Sequence, residues 1–222
     1  MSSESLGPLQ LRVLETLAGL DPPWTLTGGG ALVGFHLHHR TTRDLGLFLH
    51  GRATLEDYAA RVIEKLREAG LEVRTRRPGR SLHQLHVESG IESVTIDLVA
   101  EPVATIENPI ERQVGDKVIQ VDTPHEILVN KLCTLVQRTE LRDLFDVQHL
   151  LETGGDLERA LVEAPRKDGG FSPMILTWQL SELAIERIGR DLEWPEERVV
   201  SLARFRDSLL GRIAALIRPE EA

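Results

Sequence analysis

Two groups of residues in this chain have the type and spacing to do chemistry. The first is the run Leu26-Thr27-Gly28-Gly29-Gly30-Ala31-Leu32, in which glycines sit between a strand-like segment and a helix-like one. Glycines there let backbone N–H groups approach a phosphate at a helix N-terminus, where the peptide dipoles also favour negative charge. By itself the run fits a plain tight turn equally well, because Gly28, Gly30 and Gly34 miss the G-x-G-x-x-G spacing of a dinucleotide loop by one residue. The second group is a pair of aspartates. Asp44 opens the apolar stretch Asp44-Leu45-Gly46-Leu47-Phe48, and Asp97 is embedded in Ser93-Val94-Thr95-Ile96-Asp97-Leu98-Val99. An ionised carboxylate in such surroundings is costly unless it is paired, bound to metal or turned to solvent.

The elements that would position these residues follow from periodicity. Leu9, Val13, Leu14, Leu17 and Leu20 recur at helical spacing up to Asp21-Pro22-Pro23. A short strand over 24–27, a glycine loop over 28–30, a brief helix behind it and a strand over 44–49 come next. The span 54–69 reads as an amphipathic helix stopped by Gly70, followed by strands over 71–75, 82–88, 93–99 and 117–121. Thr123-Pro124-His125-Glu126 has the cap, first-turn proline and glutamate of a capping box. Helical periodicity then continues through Leu151 and returns over 173–187 and 195–217. The expected organisation is an α/β domain over 1–122 and a helical region over 123–222.

Composition restricts the partners. With 26 Lys and Arg against 35 Asp and Glu, the formal net charge of −9 disfavours a broad nucleic-acid surface or an anionic membrane, so any phosphate contact must be local. No run is long and apolar enough for a membrane span, and MSSESLGPLQ lacks the features of a secretory signal, so the expected location is the cytoplasm. Cys133, the only cysteine, lies in an apolar stretch and reads as a core residue. His36 and His39 share a helical face, but no H-E-x-x-H accompanies them, which favours ordinary packing over zinc. No G-x-S-x-G or cysteine-based nucleophile is visible.

Taken with Arg40-Thr41-Thr42-Arg43-Asp44, Lys131 to Leu135 and Arg142-Asp143-Leu144-Phe145-Asp146, the two groups resemble the nucleotidyltransferase superfamily. The resemblance is strongest to the AbiEii/AbiGii toxin group, whose pattern looks like L-x-G-G-T-A-L, R-x-S-x-D-x-D-x-F, a third aspartate on a later strand, K-x-x-A-L and R-D-x-x-D. It covers most of residues 20–152. It implies an α+β fold, with a nucleotidyltransferase-like mixed sheet flanked by helices and a C-terminal helical region.

The resemblance also implies transfer of a nucleotidyl group from a nucleoside triphosphate with Mg²⁺ or Mn²⁺, and a cognate antitoxin as partner. On this basis Asp44 and Asp97 are the expected catalytic and metal-binding residues, and Gly28, Gly29, Arg40, Thr42, Lys131, Arg138, Arg142 and Asp143 the expected nucleotide contacts. Lys131, Arg138 and Arg142 would fall within an arc of about 40° on one uninterrupted helix. Such a strip suits a triphosphate, and it equally suits a solvated face or ion pairs with Asp143 and Asp146.

The chain departs from that pattern at two positions. The second aspartate of the D-x-D pair is Gly46, and the hydroxyl residue of the loop is Gly30. Alternate strand residues share a face, so neither Leu45 nor Leu47 can substitute for position 46. Transfer is therefore expected to be weak. A non-catalytic nucleotide-binding or protein-interaction module and a small-molecule, antibiotic-type nucleotidyltransferase are the alternatives on the same fold.

Overall fold

A computed structural model describes residues 6–138 and 140–217. The chain divides into two compact units, 1–127 and 128–222. In the first unit the described elements are α1 (Pro8–Leu17), β1 (Thr25–Thr27), α2 (Gly28–Ala31), β2 (Asp44–His50), α3 (Tyr58–Glu68), β3 (Glu72–Arg77), β4 (Leu82–Ser89), β5 (Glu92–Glu101), β6 (Ile110–Val114) and β7 (Lys117–Val121). The strands form one mixed sheet in the order β3-β4-β5-β2-β1-β7-β6. β2 runs parallel to β5 and β1 parallel to β7, while the other pairs are antiparallel.

Strict alternation makes one face of this sheet apolar. Leu45, Leu47 and Leu49 of β2 and Val94, Ile96, Leu98 and Ala100 of β5 are buried, whereas the residues between them are half-buried or exposed. α1 and α3 pack with the sheet strands and cover apolar surface. Each leucine so buried contributes roughly 1.5–3 kcal/mol relative to exposure. The opposite face of β2 and β5 carries Asp44, Gly46, Phe48, Thr95, Asp97 and Val99. This alternation is why the two aspartates are not buried with their apolar neighbours.

Three local readings are corrected. The glycine triplet is not a loop before a helix but the first turn of α2, and Leu32–His36 continues it as a π-turn closed by Leu37 N–H donating to the Leu32 carbonyl at 2.7 Å. Gly28 begins this turn at φ +60°, a conformation that glycine adopts without the Cβ penalty. The helix expected from 54 starts at Tyr58. β6 was not expected; its five residues alternate weakly, and the signal lay in the Gly115-Asp116 turn, where Val114 pairs with Lys117.

Tyr58 is the chain's only tyrosine, and its buried hydroxyl has no hydrogen-bond partner among the described residues. Burial raises its pKa to about 12 from 10.0. Above pH 10 the unfolded chain loses this proton while the folded chain keeps it, so Tyr58 lowers stability as pH rises from 10 towards 12. Tyr58→Phe should flatten the pH dependence of melting temperature in that window and leave stability at neutral pH unchanged or slightly higher. Tyrosinate absorbance against pH gives the companion measurement, and a midpoint near the unperturbed value would contradict the burial effect.

The second unit is helical. α4 (Pro124–Gln137) begins within the first unit and continues into the second, where α5 (Leu141–Glu152), α6 (Leu157–Lys167), α7 (Pro173–Ser181), α8 (Ile185–Asp191) and α9 (Glu196–Ile217) follow. The cap at Thr123 forms, with Glu126 N–H donating to its Oγ1 at 3.1 Å. The Glu126 carboxylate accepts from the backbone N–H groups of Ile106 and Glu107, at 2.6 and 3.1 Å, so it also ties down the segment before β6. Cys133 is buried, as its apolar surroundings imply. The span 173–187 is two helices rather than one. No helix among the described residues is long and apolar enough to cross a membrane.

Candidate functional site

Register assembles the candidate site residues of the first unit. Asp44 stands opposite Thr95, and Gly46 opposite Asp97, across the parallel β2–β5 pair. On its other side Gly46 is abreast of Thr27, the last residue before the glycine turn. Asp44, Gly46 and Asp97 therefore share one sheet face, next to the start of α2. Gln84 of β4 lies opposite Asp97 and donates from Nε2 to its Oδ1 at 2.8 Å.

The segment before β2 is shaped by the same neighbours. Thr42 Oγ1 accepts from Asp44 N–H at 3.3 Å, and Gln10 Nε2 donates to the Thr42 carbonyl at 3.1 Å, which fixes where the aspartate enters the sheet. The Arg40 guanidinium lies over Gly29, where an added Cβ would come within 2.6 Å of Nη2. Glycine at 29 thus allows a cation to sit directly against the turn. At Gly30 an added Cβ would lie 3.2 Å from Leu26, 3.3 Å from Leu45 and 3.5 Å from the Asp44 carbonyl, so a hydroxyl residue would require small shifts there. Position 46 is different. An added Cβ meets Phe48 and Thr27 at 3.5 Å, ordinary contact distance, and Gly46 is not among the positive-φ glycines. Nothing steric demands glycine at the place where the resemblance puts an aspartate.

In the second unit, Lys131 Nζ lies 2.5 Å from Asp143 Oδ1 and 2.8 Å from Asp146 Oδ2, with both carboxylates buried. Arg138 adds a second cation, its Nε 3.2 Å from Asp143 Oδ2 and its Nη1 3.3 Å from Glu140. Lys131, Arg138 and Asp143 are therefore one ion cluster, while Arg142 is exposed and has no ion pair among the described residues. The uninterrupted helix is corrected: α4 ends at Gln137 and α5 starts at Leu141, so the arc computed for a single helix does not apply. The break allows Asp143 and Asp146, three residues apart on α5, to meet Lys131 from a separate helix.

Sequence reasoning missed a further polar group. Asp122, directly after β7, is fully buried, and no hydrogen bond from the described residues reaches its carboxylate. His50 Nε2 stands 3.7 Å from its Oδ1, and His36 Nε2 is 2.8 Å from its backbone oxygen. Burial lowers the His36 pKa, with the hydrogen bond to the Asp122 backbone opposing that shift. The only signal in sequence was a carboxylate following Val-Ile-Gln-Val at the end of an apolar strand.

The chain matches a family model, "Nucleotidyl transferase AbiEii toxin, Type IV TA system", over residues 12–210. The chain belongs to the AbiEii nucleotidyltransferase toxin family. Among solved structures it is similar to MenT4, a nucleotidyltransferase toxin from Mycobacterium tuberculosis, at 16% identity and TM-score 0.62, covering 96% of this chain and 83% of that one. It is also similar to JHP933 from Helicobacter pylori at 17% identity and TM-score 0.55, over 97% and 95% of the two chains. An antigenic nucleotidyltransferase-like protein from Paracoccidioides brasiliensis matches at 15% identity and TM-score 0.50, over 79% of this chain and 94% of that one. Identities this low establish the α+β nucleotidyltransferase-like fold and nothing finer. No curated protein matches the chain.

The AbiEii family implies a divalent metal, which tests the donor set. Asp44 is exposed, Asp97 already accepts from Gln84, and the residue abreast of Asp97 on the shared face is a glycine. Among the described residues no group of three or more His, Cys, Asp or Glu side chains could hold a metal. Mg²⁺ needs a tight octahedron of oxygen donors, and a two-metal centre needs carboxylates shared between the ions. The residues present do not fit such a centre.

Proposed function

We propose that this chain is an AbiEii-type protein that binds a nucleoside triphosphate and transfers its nucleotidyl group weakly. The observation that carries the reading is the register of Gly46. It occupies the place abreast of Asp97, on the face of Asp44, where the family pattern has its second carboxylate. Gly28, Gly29, Arg40 and Thr42 support nucleotide binding in the first unit because they bring backbone N–H groups and a guanidinium to one turn. Lys131, Arg138, Arg142 and Asp143 remain proposed contacts. A cognate antitoxin and a cytoplasmic location belong to the same proposal. The departure at Gly46 equally favours a second reading, a nucleotide-binding module without transfer.

Thermal shift and transfer assays test this together. At a hundredfold excess over Kd, a ligand that binds only the folded chain stabilises it by about 2.7 kcal/mol. For a chain of this size that corresponds to a rise of roughly 5–10 °C. One of the four common nucleoside triphosphates with Mg²⁺ should produce such a rise, accompanied by little transfer of labelled nucleotide. No shift with any of the four would remove the nucleotide site. Robust metal-dependent transfer that Asp44→Ala abolishes would instead remove the weak-transfer reading.

A further inference from the structure

Arg74, Arg76, Arg77 and Arg80 crowd into seven residues of a chain whose net charge is −9. They lie on the edge strand β3 and in the loop that leads to β4. Arg74 is neutralised, with Nη2 3.8 Å from Glu72 and 3.5 Å from Glu88. Arg76, Arg77 and Arg80 are exposed, and none has an ion pair among the described residues. Three exposed guanidinium groups without ion pairs among the described residues thus fall within residues 76–80 of an acidic protein.

Charges on an edge strand commonly serve to block edge-to-edge pairing. That role would be met by any exposed charges on either face of the strand. The backbone here selects a face. Thr75 pairs with Leu85 and Arg77 with Gln84, so Arg76 is an extra residue in a bulge. In a regular ladder Arg76 would oppose Gln84 and Arg77 would oppose His83, on the side of Leu85 and the apolar face. The bulge moves it to the side of Gln84, Asp97 and Gly46, which follow one another across β4, β5 and β2. Three strand spacings separate Arg77 from Gly46 in the sheet order, about 14 Å at ~4.8 Å each. One extended ligand could touch both. The loop backbone packs closely at Gly79, where an added Cβ would collide with the Leu82 carbonyl oxygen.

We propose that Arg76, Arg77 and Arg80 form an anion site that holds phosphate groups of a ligand lying along the Gln84–Asp97–Gly46 row. The guanidinium fork matches two phosphate oxygens at once, and its charge persists at every working pH. On a chain that otherwise repels polyanions, binding at this hairpin is local and strongly dependent on salt. The proposal rests on the nucleotidyltransferase reading only in placing the ligand on that sheet face.

Two probes separate the sources of phosphate: a labelled short single-stranded oligonucleotide followed by anisotropy, and inorganic tripolyphosphate followed by calorimetry. Each is titrated against wild type, the triple variant Arg76→Glu/Arg77→Glu/Arg80→Glu, and a control of equal charge change, Arg187→Glu/Arg190→Glu/Arg204→Glu. Circular dichroism checks folding, and the glutamine versions replace any triple that does not fold. The hairpin variant should bind at least about tenfold more weakly, and its log-affinity against log-salt slope should fall by about 2 for three lost phosphate contacts. The control should stay within about threefold of wild type by the same salt argument. Loss confined to the oligonucleotide assigns the site to a polynucleotide backbone, and loss of tripolyphosphate as well assigns it to free phosphate chains. Wild type that binds neither probe, or equal loss in the two triples, overturns the proposal and leaves the arginines as edge guards. The nucleoside triphosphate thermal shift, repeated on the hairpin variant, shows independently whether the nucleotide reading stands.

Discussion

Lys131→Met should lower the free energy of unfolding by about 3–5 kcal/mol, the usual effect of removing one partner from a buried ion pair. The lysine holds two carboxylates that have almost no access to water, Asp143 at 2% exposure and Asp146 at 0%. Deleting the cation removes its contacts of 2.5 Å to Asp143 and 2.8 Å to Asp146, while Arg138 Nε lies 3.2 Å from Asp143. Urea denaturation measures the loss, with Arg142→Met as the exposed comparison, expected within about 0.5 kcal/mol of wild type. Adding Asp143→Asn and Asp146→Asn to Lys131→Met should recover part of the stability, because the two buried charges that Lys131 faced are then gone. A loss below about 1 kcal/mol in the single variant would mean that the cluster is not what holds α4 to α5. The result also governs nucleotide experiments: a Lys131 variant that fails to respond to a triphosphate is informative only where it is folded, so the two measurements belong together.

The second large effect is expected at Gly46. Gly46→Asp places a carboxylate abreast of Asp97 and two residues from Asp44 on the same face. Without metal this is a like-charge arrangement, costing up to about 1 kcal/mol per opposed pair, or roughly 2–4 °C in melting temperature. With metal the sign reverses, because the added oxygen donors complete a site that the wild type lacks. Mn²⁺ affinity by calorimetry should rise at least about tenfold, equivalent to ~1.4 kcal/mol. Backbone strain should not mask this, since an added Cβ at 46 meets its neighbours at 3.5 Å or more. Gly46→Ala supplies the control for loss of glycine alone and should change neither metal affinity nor its salt dependence. Metal affinity unchanged in the aspartate variant would show that the new carboxylate does not converge with Asp44 and Asp97 on one ion, and the reading of Gly46 as the missing carboxylate would have to be abandoned.

The parts of this molecule that were legible in sequence are those set by short-range rules. The strands β2 and β5 announce themselves through Leu45-x-Leu47-x-Leu49 and Val94-x-Ile96-x-Leu98, because a half-buried strand has a period of two. The start of α4 was equally plain, since Thr123 and Pro124 satisfy its first turn locally. Long-range facts were not available. Which residue stands abreast of Asp97 depends on how β2 pairs with β5, and sequence spacing cannot fix that register. The helix break before α5 carries no glycine or proline at 138 or 140, and only the structure shows that Asp143 and Asp146 of α5 meet Lys131 of α4 across it. The glycine triplet was misjudged because glycine disfavours helix by about 1 kcal/mol per residue in isolation. Here close packing at Gly30, against Leu26 and Leu45, outweighs that preference. Four arginines between 74 and 80 could have been noticed, but only the bulge reveals which way Arg77 faces.

The pairing of β1 has a consequence for synthesis of the chain. β1 is an interior strand, bounded by β2 on one side and β7 on the other, and Thr25 meets Gln120 only when almost all of the first unit exists. A nascent chain that has emerged through β5 can already form the ladder from β3 to β1, since every strand it needs has been made. Its β1 then ends in a row of unsatisfied peptide groups beside the apolar side chain of Leu26. Until Val121 arrives, that row is open to any other extended segment, including the same strand of a chain on the neighbouring ribosome. The vulnerable interval is short, but it falls during translation and not after it. Codon tempo between β5 and β7 would therefore affect the yield of this protein without altering a single residue of its folded form.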